Sequence, residues 1–148
     1  MPNLLYLGLA ALSGATMALQ GTLNSVLGKL MPIWNSILVV HVVGMLTAVA
    51  IVVVTGGFNM SGWSSLGKIP WYAYLGGVLN VVIIYAVSTT MPKIGVGNAT
   101  TAIIVAQVLT AVLIDCLGAF GMKKYHFQYI DLVGIALLAI GARILLLK

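Results

Sequence analysis

Gly97 to Gly121 reads G-N-A-T-T-A-I-I-V-A-Q-V-L-T-A-V-L-I-D-C-L-G-A-F-G. The stretch is long enough to cross a bilayer as a helix, and its composition is mostly apolar. Its polar residues include Thr100, Thr101, Gln107 and Asp115. At a helical repeat, Thr100, Gln107, Ala111 and Asp115 fall on one side, and the remaining faces are Ile, Val, Leu and Ala. The pattern predicts an apolar helix with one polar seam. The chain has no Glu and two Asp, so Asp115 is its only carboxylate well inside an apolar span. An ionisable group in such a place is a functional-site candidate by default.

Composition carries the same class to the whole chain. Of 148 residues, 61% are hydrophobic and 6% are charged, which excludes an ordinary soluble domain and predicts an all-α integral membrane protein. A β-barrel would show alternating segments of about ten residues, and none is present. The net charge of +5 does not point to nucleic acid, because the few Lys and Arg sit mostly between apolar runs, as loop charges do. The single cysteine, Cys116, excludes an intrachain disulfide. The opening Met-Pro-Asn-Leu-Leu has no basic segment before its apolar run, so the first span is read as uncleaved.

Hydropathy predicts five spans in one transmembrane domain over residues 1–148: about 4–27, 33–55, 71–91, 97–118 and 129–147. Pro32, Pro70 and Pro92 mark span boundaries, where proline is tolerated or ends a helix. The one substantial loop runs from Gly56 to Ile69 and contains Trp63; the other links are short, which makes successive helices antiparallel neighbours.

Several polar side chains lie within the other spans. Ser13, Thr16, Gln20 and Asn24 form one stripe of span one. They either bond across a helix packing seam or line a cavity. His41 in span two reads as a neutral imidazole bonded to a neighbouring helix, with Gly44 and Ala48 on its face as a small-residue seam. One further histidine, His126, and one cysteine make no metal-ligand set, so no metal or other cofactor is expected. Asn80 lies near the middle of span three and should face protein. Trp71 and Tyr72 read as interfacial aromatics, and Tyr85 as packing. In span five, Asp131 and Arg143 read as snorkelling anchors suited to the helix dipole, with Lys123 and Lys124 as surface partners for Asp131. Gly134 and Gly141, a heptad apart on one face, mark a candidate seam between subunits.

Five spans put the termini on opposite sides. Lys68, Lys123 and Lys124 then share a side with the N-terminus, and Lys29, Lys93 and Lys148 occupy the other, with Arg143 close to it. So even a distribution gives no preferred orientation. It predicts insertion both ways and an antiparallel dimer, which reproduces from one chain the inverted repeats of many transporters.

Four stretches resemble a known family: A-L-Q-G-T-L-N-S-V-L-G (Ala18 to Gly28), P-K-I-G (Pro92 to Gly95), A-Q-V-L-T-A-V-L-I-D-C-L-G (Ala106 to Gly118) and G-I-A-L-L-A-I-G-A-R-I-L (Gly134 to Leu145). Over essentially its whole length the chain is similar to the YdcZ-like five-helix family of the drug/metabolite transporter superfamily. Members typically show Gly-Gln where this chain has Ala106-Gln107, and often Asp-His where it has Asp115-Cys116. The family occurs as single genes, paired genes and fused forms, which implies antiparallel assembly. The superfamily's small multidrug exporters use a glutamate in their first helix; this chain has no glutamate to take that role.

The expected function is secondary transport, most simply export, of a small metabolite or amphipathic compound across a bacterial inner membrane. An antiparallel homodimer would work by alternating access, with Gln20, Asn24, Asn80 and Gln107 binding substrate and Asp115 carrying a coupling ion. The rival expectation is a non-enzymatic membrane subunit that works only with a related partner. An enzyme is not expected, since the sequence has no activated nucleophile or paired carboxylates.

Overall fold

The computed structural model describes residues 4–57, 66–122, 124–126 and 128–146. Five long helices dominate: α1 (Leu4–Leu30), α2 (Ile33–Val54), α3 (Leu75–Ile94), α4 (Val96–Leu117) and α5 (Tyr129–Leu146). A 3-10 turn, Trp71–Tyr74, runs directly into α3, so the third span is continuous from Trp71 to Ile94. All five are long and apolar enough to cross a membrane. Short 3-10 turns also occur at Leu66–Lys68 and Ala119–Gly121.

Two of the expected boundaries move. α1 continues to Leu30, past the expected end near Leu27, and the chain then turns through Met31 and Pro32, whose extended backbone precedes α2. α3 passes through Pro92 and ends at Ile94. A proline in a last turn removes one N–H from the ladder, and little helix follows to be disrupted. The stop falls instead at Gly95, whose φ of +86° no side-chain-bearing residue adopts easily. In the expected loop from Gly56 to Ile69, residues 58–65, including Trp63, lie outside the described residues, as do Lys123, Leu147 and Lys148.

The chain divides into two compact units, Met1–Lys93 and Ile94–Lys148. In the first, α1 packs on α2. Gly21 of α1 lies so close to α3 that a Cβ there would sit 2.7 Å from Met91 Cε and 2.9 Å from Val87 Cγ1. Gly28, two turns on, faces Ile33, Ser36 and Ser88. The buried residues of this unit gather there: Gly21, Asn24 and Ser25 of α1, Ser36 and Ile37 of α2, and Ile84, Ser88 and Met91 of α3. Small and hydroxyl-bearing residues at a close approach are what helix packing in lipid uses, because apolar side chains gain nothing by leaving acyl chains.

In the second unit, α4 packs on α5. α4 ends at Gly118, whose φ of +61° is left-handed and whose N–H bonds back to Asp115 O. A Cβ at Gly118 would also meet Lys124 Cβ at 3.2 Å. Glycine is required here by conformation and by space.

Most remaining apolar surface is exposed: Leu4, Val54 and Leu117 show 84%, 85% and 73% of their area. Water would not tolerate that surface, and a bilayer solvates it. Hydroxyls on these surfaces bond to their own helix. Ser13 donates to Ala10 O, Thr16 to Leu12 O, Thr47 to Val43 O, Thr101 to Gly97 O and Thr110 to Ala106 O. Each lends its proton to a carbonyl one turn back, so none needs a polar cavity to face lipid.

Candidate functional site

The four amide side chains expected to bind substrate occupy different environments. Gln20 on α1, Asn80 on α3 and Gln107 on α4 are exposed, whereas Asn24 retains 8% of its area inside the packed end of the first unit. The stripe on span one therefore divides. Ser13 and Thr16 are satisfied by their own backbone, Asn24 is packed away, and Gln20 alone presents an open amide.

Asn80 is tied across the bundle. Its Nδ2 lies 3.2 Å from His41 Nε2 on α2, and His41 Nδ1 lies 2.8 Å from Ile37 O, one turn back on its own helix. The imidazole is thus bonded to a neighbouring helix, as its solitary position in span two implied, and Asn80 is the partner. Along the same two helices, Trp34 and Tyr85 stack with ring centroids 5.1 Å apart and planes 16° from parallel. Tyr85 packs against protein. Two side-chain pairs, one polar and one aromatic, therefore join α2 to α3.

The second unit contains the carboxylates. Asp115 stands in the last turn of α4 and is exposed. That places it close to the end of the span, as the expected bounds of 97–118 implied. A negative charge at a helix C-terminus meets the unfavourable end of the dipole. Its backbone carbonyl accepts the Tyr125 N–H at 2.8 Å, which fastens the α4–α5 link to the end of α4. A cavity of about 190 Å³ opens beside it, lined by Val112, Asp115, Tyr125 and Asp131.

Asp131 reached this cavity without being expected there. It is the third residue of α5, and its Oδ2 accepts the Gln128 N–H at 2.8 Å. This is the returning half of a capping box, and it places a carboxylate at the favourable end of a dipole. Among the described residues, this N–H holds Asp131, not Lys124. The chain's two carboxylates share one cavity because each lies within a turn of the same short link between antiparallel helices. That signal was readable in the sequence.

On α5, Gly134 is exposed and Gly141 half-buried, and a Cβ at either would meet nothing within 4 Å. Gly44 on α2 is equally open.

Comparison with known families finds one match, over residues 5–144, to the family described as "Putative inner membrane exporter, YdcZ". No curated protein and no solved structure matches the chain. The family match and the five candidate spans together describe a multi-pass protein of the inner membrane.

Proposed function

The chain belongs to the YdcZ family of inner membrane exporters, and from that premise we propose that it is a secondary transporter working as an antiparallel homodimer. It exports a small metabolite or amphipathic compound by alternating access. Gln20, Asn24, Asn80 and Gln107 are the substrate-binding residues of this reading. Asp115 exchanges the coupling ion. The partners are the bilayer, the substrate and a second copy in the opposite orientation; no enzymatic step, cofactor or nucleic acid takes part.

The observation that carries this reading is the exposure of amides at mid-span on otherwise apolar helices. Gln107 lies at the centre of α4, and Asn80 lies within about 4 Å of the centre of the third span at the helical rise per residue. A carboxamide at that depth is unfavourable against lipid, which supports a lining role in a protein or water-filled space. The even placement of Lys and Arg supports insertion in both orientations, and opposite copies supply the inverted repeats that alternating access uses. The open faces at Gly134 and Gly141 are the proposed subunit contact.

The test is flux in liposomes containing only this purified chain, with reporters fused to the two termini in cells. Concentrative, ion-driven flux and comparable reporter signals from both sides of the membrane are expected. A single orientation, or flux only when a related chain is added, would replace the homodimer with the partner-subunit reading. Asp115→Asn keeps the size and most hydrogen bonding of the side chain but cannot titrate. It should fold and lose pH-driven flux; unchanged pH dependence would return Asp115 to a structural role.

A further inference from the structure

The His41–Asn80 contact has a defined proton inventory. A backbone carbonyl can only accept, so His41 Nδ1, at 2.8 Å from Ile37 O, carries the proton. In the neutral ring Nε2 is then an acceptor, and the Asn80 Nδ2 amide donates to it at 3.2 Å. This uses one N–H of the carboxamide and leaves Oδ1 over. Asn80 is exposed and His41 half-buried. His41 lies about 4 Å from the centre of α2 at the helical rise, so both partners are close to mid-span. The pair therefore holds an amide oxygen, with its orientation set by the imidazole, at a depth where an unsatisfied acceptor is strongly unfavourable.

Adding one proton to this pair changes what it offers. With Nε2 protonated, both ring nitrogens donate. The Asn80 NH₂ facing Nε2 then becomes a donor against a donor. Turning the amide over brings Oδ1 onto Nε2–H and restores the bond. The outward group becomes NH₂, beside a positive ring. One proton thus converts a neutral acceptor into a cationic donor.

We propose that His41 and Asn80 form a proton-switched binding site for a cation bearing N–H donors, such as a primary ammonium. The neutral pair accepts the ammonium hydrogen at Asn80 Oδ1, and the protonated pair repels it. Proton and substrate exclude each other, so one monovalent cation leaves as one proton enters and the charge of the site is conserved. Imidazole is the side chain whose ordinary titration spans the physiological range. Residues 1–93 contain no carboxylate, and their charged groups are Lys29, Lys68 and Lys93, all near span ends. α1, which packs on α2, offers Tyr6 and Lys29 near its two ends. α3 offers Tyr85, engaged with Trp34, and Lys93 in its last turn. This proposal rests on the transport reading for its physiological purpose, but the switch itself is a property of binding.

The experiment is calorimetric binding of n-butylammonium to the purified protein across pH 5 to 9, with butyltrimethylammonium as a control lacking N–H. Linkage requires the apparent affinity for butylammonium to fall by up to about tenfold per pH unit below the imidazole titration. The quaternary control should bind at least tenfold more weakly. His41→Gln retains an acceptor near the Nε2 position but cannot titrate. Its binding should lose the pH dependence, whereas a packing role for His41 would alter stability and leave the pH profile in place. A wild-type pH slope in His41→Gln, or equal binding of the quaternary ion, would overturn the proposal. Nitrogen NMR of the wild-type ring, with His126 substituted for assignment, gives an answer independent of how the variant folds. Butylammonium should lower the protonated fraction of Nε2 at fixed pH, and no change would overturn the switch. Flux measured beside binding separates the two readings. pH-switched binding without flux removes transport and keeps the pair, while flux that keeps its pH dependence in His41→Gln removes the pair and keeps transport.

Discussion

The polar pair of the first unit and the acidic pair of the second differ in what holds them. His41 and Asn80 are close to mid-span and bonded to each other across two helices. Asp115 and Asp131 are carboxyl groups at the adjoining ends of α4 and α5. Asp131 is held by the backbone of its own helix start, and among the described residues no hydrogen bond holds the Asp115 carboxylate. Depth explains the difference. Near the end of a span a carboxylate can reach water or headgroups and needs no protein partner. At mid-span there is no such outlet, and a polar side chain is satisfied by its own backbone, as Thr47 is, or by a partner on another helix, as Asn80 is. The two pairs therefore predict different responses to substitution.

The largest effect should come from the close approach that supports the first pair. Gly21→Leu places a branched side chain where even a Cβ would lie 2.9 Å from Val87 Cγ1. Separation of α1 from α3 should cost about 1–3 kcal/mol or more, read as a lower unfolding midpoint in mild detergent. If the midpoint holds, α1 and α3 do not depend on that contact. Next is the turn that supports the acidic pair. Gly118→Ala forces a side chain into a left-handed residue and against Lys124 Cβ at 3.2 Å, a loss of about 1–2 kcal/mol. The same thermal measurement checks it, and a neutral result would show that the end of α4 can rearrange.

Smaller effects should separate the pairs themselves. Asn80→Leu removes the partner of His41 and should cost about 0.6–2 kcal/mol, the range for interhelical hydrogen bonds in membranes. Asp131→Asn weakens the return bond to Gln128 N–H and should cost about 0.5–1 kcal/mol, with no loss of binding at His41. If Asp131→Asn proved the more damaging, the contrast between tied and capped pairs would fail. Smallest is Gly134→Leu. Nothing lies within 4 Å of a Cβ there, so the single chain should keep its unfolding midpoint while cross-linked dimer yield falls. A shifted midpoint would mean that this face packs within one chain.

Particular residues show how far the sequence was readable. The apolar runs located the five helices, and the solitary His41 in span two was enough to expect a bond to another helix. Pro92 marks the boundary to within two residues, because a proline's effect depends on how much helix follows it, and here the helix ends at Ile94, before Gly95. Asn24 and Gln20 share one stripe of α1, yet one is packed away and the other open. A stripe gives the direction of a side chain about its own axis and not what stands opposite.

Membrane residence, five spans, even charge placement and family were determined by the sequence alone. Length and hydropathy are sums over consecutive residues, and lipid solvates every apolar face alike, so these properties need no knowledge of neighbours. Only the tertiary structure decided that Asn80 is the partner of His41 and that Asn24 is buried. Those outcomes depend on how each helix is rotated and crossed against the next. In lipid that choice is made by close approach at a few small residues, such as Gly21, and by which polar groups find each other, and neither is a property of one segment.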